Sequence, residues 1–130
     1  MINFLDETLK AIKESNHNLK DVMFVGSADG KYRMSIEKFV EKANFNYDDG
    51  YGGTEIATDL IVYFNDHTYM QRWEYDGSEG WEYRVKTTFN KTDEYKDFDV
   101  LDGSNYSGSS VEAMNNREKY DEEGYLIEED

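Results

Sequence analysis

Ile56-Ala-Thr-Asp-Leu-Ile-Val-Tyr-Phe64, Tyr69-Met-Gln-Arg-Trp-Glu-Tyr75 and Trp81-Glu-Tyr-Arg-Val-Lys-Thr-Thr-Phe89 read as three consecutive strands, rich in aromatic and β-branched residues and separated by polar turns. Their register is open to a parity test, because a slip of one residue moves every side chain to the opposite face. Taking Asp76–Gly80 as a loop sets Tyr75 opposite Trp81, Trp73 opposite Tyr83 and Gln71 opposite Val85. Moving the register by one sets Trp73 against Arg84, which disfavours it. In the preceding hairpin, turn residues Asn65–Thr68 pair Phe64 with Tyr69. Val62, Leu60 and Thr58 then share a face with Gln71, Trp73 and Tyr75. The expectation is a β-meander over 56–89 with Trp73 and Tyr83 on one aromatic face. Its first strand is apolar on both sides and should be buried on both.

Working outward, residues 3–15 carry Phe4, Leu5, Leu9 and Ile12 at helical spacing, with Asp6 and Glu7 early and Lys10 and Lys13 late, as the helix dipole favours. The stretch Asn16–Asn18 ends that helix. Val22–Val25 is a short strand, Ala28–Gly30 a turn, and Lys31–Met34 a second short strand. Ser35 is placed to N-cap a helix over 36–44 that buries Ile36, Phe39, Val40 and Ala43. The segment Asn46–Gly53 is too Gly-rich for a helix and reads as a loop. The fold class that follows is α+β, an antiparallel sheet packed against two helices.

Net charge is −15 on 130 residues, 29 acids against 14 Lys and Arg. Residues 91–130 hold thirteen acids and four bases, a net of −9; residues 1–90 hold sixteen and ten, a net of −6. The chain therefore divides into an α+β core, 1–90, and an acidic extension, 91–130. In the extension Phe98, Val100 and Leu101 suit a last strand, Gly103–Ser110 a loop, Val111–Tyr120 a short helix and Glu118–Asp130 a tail. Aromatic residues make up 15% of the chain, enough to build a core despite the charge, since each buries roughly 150–250 Å². The absence of Cys excludes disulfides and thiolate metal sites and suits a reducing cytoplasm. No apolar run reaches the roughly 18–20 residues of a membrane span, and no signal-peptide pattern opens the chain. Such a surface repels nucleic acid and anionic lipid alike. A basic protein surface is the partner that it fits.

Catalytic constellations are weak. There is no Gly-x-Ser-x-Gly elbow, and His17 and His67 lie far apart in predicted turns without neighbours at metal-ligand spacing. Asn44–Gly50 alternates oxygen-bearing residues, but a helix–loop–helix calcium loop needs Gly at its sixth position, where Asp49 stands. The stretch 97–103 fails in the same way, and no Gly-rich loop precedes Lys and Ser or Thr to cradle phosphate. The expectation is a protein with no catalytic residues, metal or cofactor. The densest feature is Trp73-Glu-Tyr-Asp-Gly-Ser-Glu-Gly-Trp-Glu-Tyr83, with four aromatics and four carboxylates in eleven residues. It reads as a cross-strand aromatic ladder from whose turn Asp76, Glu79 and Glu82 project.

Asp48-Asp-Gly-Tyr-Gly52, the strand Thr58-Asp-Leu-Ile-Val62 and the hairpin Arg72–Tyr83 resemble a family of small acidic phage and prophage proteins. These carry a Tyr-Asp-x-Gly-Tyr-Gly loop and a Glu-Tyr-Asp-Gly-Ser-Glu-x-Trp-Glu hairpin. The likeness spans about residues 22–86 and brings no catalytic residues with it. It implies phage origin, and small acidic phage proteins include inhibitors of CRISPR effectors and of restriction enzymes. The expected function is binding, in the host cytoplasm, to a basic nucleic-acid-binding defence protein such as a nuclease or its guide-RNA complex, by imitation of a polyanion. Nucleic acid itself and membrane are not expected partners. The candidate contacts are Asp48, Asp49, Asp76, Glu79, Glu82, Asp121, Glu122 and Glu123, with Tyr120 and Tyr125. The alternative is an immunity or regulatory protein that caps a non-nuclease partner through the aromatic hairpin 73–83.

Overall fold

A computed structural model describes residues 2–48, 55–75, 78–84, 95–102 and 110–115. Two side-chain caps start the two longer helices. Asn3 accepts from the Asp6 amide at 2.9 Å to open α1 (Phe4–Glu14), and Ser35 accepts from the Lys38 amide at 3.1 Å to open α2 (Ile36–Lys42). Each such cap stabilises its helix by about 1 kcal/mol. Asn16, at φ 64°, takes the left-handed conformation just beyond α1 and turns the chain away. Asn18 then caps one turn of 3-10 helix, Leu19–Asp21.

Five antiparallel strands form the main sheet in the order β3-β2-β5-β6-β7: β2 (Val22–Ser27), β3 (Arg33–Met34), β5 (Leu60–Phe64), β6 (Tyr69–Tyr75) and β7 (Ser78–Arg84). A separate ribbon pairs β1 (Ile2–Asn3) with β4 (Asn46–Tyr47), so the expected loop from Asn46 opens with a strand. Among the described residues the remaining helix is the short α3 (Val111–Asn115), and none is long and apolar enough to cross a membrane. The α+β class holds, with α1 and α2 packed on one sheet face. That face brings Val25, Leu60, Val62, Phe64 and Met70 against Phe4 and Ile12 of α1 and Phe39 of α2. Phe4 is the hub. Its ring lies 5.7 Å from Phe39, 5.5 Å from Phe45, 5.8 Å from Tyr47 and 5.9 Å, stacked, from Trp81. Phe98, Leu101, Val111 and Met114 join the same core, so part of the acidic extension packs with residues 2–84. No strand forms over 98–101; Asp102 makes a single bridge to Ile56. On the other sheet face Phe24, Ile61 and Tyr63 form a smaller cluster with Tyr69, and β5 is buried on both sides as expected.

Both hairpin registers differ from expectation by an odd number of residues. Tyr63 pairs with Tyr69 and Val62 with Met70, because the β5–β6 turn holds three residues between Phe64 and Thr68, whose backbones bond at 2.9 Å. His67 takes the left-handed conformation, φ 70°, that such a three-residue turn requires at its last position. In β6–β7, Tyr75 pairs with Ser78, Trp73 with Gly80 and Arg72 with Trp81. Only Asp76 and Gly77 separate the strands, the dipeptide favoured in two-residue hairpins. The expected pairing of Trp73 with Tyr83 is therefore wrong, and the two lie on opposite faces. Residues 85–89 of the expected third strand lie outside the described residues.

The altered parity swings Arg72 inward. Its side chain is 3% exposed, with Nη1 donating to Glu7 at 3.1 Å and Nη2 to Glu79 at 3.0 Å and to the Tyr47 hydroxyl at 3.1 Å. The guanidinium lies 4.9 Å from the Trp81 ring centroid and 5.3 Å from that of Phe4. Tyr47 donates to Glu7, and burial pushes its phenol well above the ordinary range. Glu79 accepts from the amides of Glu55 and Ile56 at 2.8 and 3.1 Å, and Trp81 Nε1 donates to Thr8 at 2.9 Å. This network ties α1, β4, the segment before β5 and the β6–β7 hairpin together. Arg72→Ala is expected to lower the unfolding free energy by about 3–5 kcal/mol, because it leaves two carboxylates inside without their cation. The urea midpoint measures it. A loss below about 1 kcal/mol, the value of an exposed pair, would refute that role.

Candidate functional site

With Arg72 drawn inward, the outward face of β6 carries Tyr69, Gln71, Trp73 and Tyr75, and that of β7 carries Ser78, Gly80, Glu82 and Arg84. Trp73 is 40% exposed and Tyr75 79% exposed, although both belong to a strand clamped from below. Gly80 explains the pose of Trp73. A Cβ there would lie 2.9 Å from the indole Nε1, so the ring rests on bare backbone. Glu82 accepts from Arg84 at 2.9 Å and from Gln71 at 3.4 Å, placing a carboxylate beside the aromatics. Tyr83, on the helix-covered face, lies 6.4 Å from Phe64.

The residues singled out from sequence separate. Glu79 does not project from the turn; it is 3% exposed and held by Arg72 and two amides, because its pairing with Glu74 puts it on the inner face. Glu82 is half-buried on the outward face. Asp48 is half-buried, and its amide donates to Glu55 at 3.2 Å. Asp49, Asp76, Tyr120, Asp121, Glu122, Glu123 and Tyr125 lie outside the described residues. Sequence reasoning named the aromatic hairpin 73–83 as an alternative contact but set Trp73 on the face of Tyr83, and so missed that Trp73 and Tyr75 point outward. The signal that finds them is the Asp-Gly dipeptide, which fixes parity.

The two histidines, distant in sequence, both lie at the β5–β6 turn but on opposite sheet faces, His17 against Phe64 and His67 against Tyr63. His17 stacks on Phe64 at 3.9 Å, with Nε2 at 2.8 Å from Asp66 and Nδ1 at 2.8 Å from the Ser15 carbonyl and 3.0 Å from its hydroxyl. A Ser–His–Asp chain thus exists, but it is not a nucleophile's. The Ser15 hydroxyl is buried and donates to the Ile12 carbonyl at 2.7 Å, a helix C-terminal contact. His67 Nδ1 lies 2.8 Å from the Tyr63 hydroxyl. Among the described residues no group of His, Asp and Glu is arranged to hold a metal ion.

Hydrogen bonds from Thr68 and then His17 hold the Asp66 carboxyl down at about 2. A depressed carboxyl contributes stability that is full above its unfolded value, about 3.9, and is lost as pH falls through the folded one. The difference in urea midpoint between the wild type and Asp66→Asn should thus be constant above about pH 5 and close between about pH 4 and 2. A difference that persists unchanged to pH 2 would exclude this linkage.

No family model matches the chain, and no curated protein or solved structure is significantly similar to it.

Proposed function

We propose that the protein is a non-catalytic binding module that docks the outward face of the β6–β7 hairpin onto a basic surface of a nucleic-acid-binding protein in the host cytoplasm. One observation carries this reading: Trp73 and Tyr75 stand exposed, two residues apart, on a strand whose underside is fixed by the buried Arg72 network. Large aromatics on a rigid support are the residues that dominate interface energies. The surrounding charge selects the partner. On the outward face Glu82 is paired with Arg84, and Glu79 is buried on the opposite face, so the pull on a basic partner comes from the chain's net charge of −15. Such a surface is drawn to Lys- and Arg-lined grooves that otherwise track phosphate. Under the likeness to phage proteins, that partner is a defence nuclease or its guide-RNA complex, and the protein acts as its inhibitor.

A second reading places the contact on the acids of the extension, Asp121, Glu122 and Glu123, which would imitate a polyanion directly. The concentration of net charge over 91–130 favours it.

Capture of a basic nucleic-acid-binding protein from host lysate, followed by titration of the purified pair, separates the two. Under the hairpin reading, Trp73→Ala with Tyr75→Ala lowers affinity by at least tenfold, while Asp121→Asn, Glu122→Gln and Glu123→Gln change it less than about threefold. The reverse pattern supports direct mimicry by the extension. If both sets bind like the wild type at about 0.1 M salt, neither surface is the interface and the acidity serves solubility alone.

A further inference from the structure

A cavity of about 180 Å³ opens on the same outward sheet face, lined by Ala28, Thr58, Asp59, Ile61, Tyr69 and Gln71. It adjoins the exposed aromatics. Gln71 and Trp73 project from the same side of β6, roughly 6–7 Å apart along the strand. The chemistry of its wall is one-sided. Asp59 is partly buried, its Oδ1 accepting from the Val111 amide at 2.7 Å, and among the described residues no Lys, Arg or His forms an ion pair with it. Arg72 also borders the cavity; its two terminal nitrogens are held by Glu7, Tyr47 and Glu79 on the inner face, and its buried Nε has no hydrogen-bond partner among the described residues. The remaining wall is aliphatic at Ala28, Leu60 and Ile61, aromatic at Tyr69 and polar at Thr58 and Gln71, surfaces suited to the stem, the flat face and the donor edge of an arginine.

We propose that this cavity receives one arginine side chain of the partner, its guanidinium paired with Asp59 and its stem lying against Tyr69 and Gln71, while Trp73 and Tyr75 take the adjoining apolar contacts. This rests on the reading that the partner surface is basic, and it names the point at which that surface is gripped. Two further features agree. Burial holds the Asp59 carboxyl above its ordinary range, and Asp29 and Glu112 add repulsion, so an incoming cation relieves an existing cost. A carboxylate in a recess also excludes water better than one on an open rim. A partner arginine there resists salt and slows dissociation, whereas rim acids act mainly on the association rate.

The test uses the full chain and a defined probe. N-acetyl-arginine amide is titrated at constant ionic strength and followed by amide ¹H–¹⁵N spectra, with the neutral isostere N-acetyl-citrulline amide as control. Saturable shifts are expected at Ala28, Asp59, Ile61 and Gln71, with a dissociation constant on the order of 1–10 mM, as suits a single contact. The citrulline probe should leave these amides unmoved. Asp59→Asn should weaken the arginine probe by at least tenfold. Ala28→Leu, at an exposed position, should block the cavity with the charge intact. Shifts that spread without saturation over the acidic surface, or that are equal in wild type and Asp59→Asn, overturn the proposal, as does equal binding of citrulline. Failure here is distinguishable from failure of the binding reading. If Trp73→Ala with Tyr75→Ala abolishes capture of the partner while Asp59→Asn and Ala28→Leu leave it intact, the hairpin interface stands and the arginine receptor falls.

Discussion

A single cation organises the interior. Arg72 lies between the carboxylates of Glu7 and Glu79, with the Tyr47 hydroxyl as a third partner, and each of these comes from a different part of the chain. Bringing a guanidinium inside is costly, and replacing such a pair with hydrocarbon is often neutral. What the arrangement supplies is a directional constraint. The two terminal nitrogens of Arg72 find their partners only if β6 sits with one parity, with Glu79 diagonally across on β7 and α1 at the right height to present Glu7; the buried Nε has none among the described residues. The apolar core alone does not demand this, because Met70 or Trp73 inward would each bury an adequate side chain. We read the network as the feature that selects between two sheet faces of similar hydrophobicity.

This is also why the helices and strands were legible in the sequence while the register was not. Asn3 and Ser35 are local caps, and their meaning is complete within four residues. Phe4, Ile12 and Phe39 fall on their buried faces by spacing alone. Register depends instead on turn length, and each turn hid its length. The β5–β6 turn uses three residues because His67 takes a positive φ, which His does more often than most non-Gly residues but signals less plainly than Gly. The β6–β7 turn looked longer because Gly80 resembled a turn residue, whereas it is a strand residue left bare for the Trp73 ring. With both slips odd, the aromatic pattern pointed to the wrong face. Pairing Trp73 with Tyr83 satisfied hydrophobicity but set Arg72 opposite Arg84, a like-charged neighbour that the observed pairing of Arg72 with Trp81 removes.

The candidate site inherits this history. Exposed Trp and Tyr on a loose hairpin would be costly, since any partner would have to order them on binding. Here the ordering is done on folding. Arg72, Trp81 and Glu79 hold the underside of the hairpin, the Trp81 indole reaches back to Thr8 of α1, and Trp73 lies flat on Gly80. The face that remains outward is therefore preorganised, and its affinity is spent less on immobilising side chains.

The distribution of charge follows the same division between inside and outside. The interior carboxylates Glu7 and Glu79 are engaged by Arg72 and by hydrogen bonds, and the exposed Asp97 and Asp99 by Lys38. Asp59 stands apart, half withdrawn from water and next to further acids, with a backbone amide in place of a cation. Neutralising it internally would have required only one Lys or Arg at a neighbouring position, such as Thr58 or Gln71, both of which line the cavity. Self-repulsion from a net charge of −15 makes each unpaired, partly desolvated acid more costly still. A fold that pairs Glu7 and Glu79 with Arg72 yet leaves Asp59 beside a cavity retains a local deficit of positive charge. On the outward face beside Trp73, that deficit is where a basic partner gains most by supplying the missing cation.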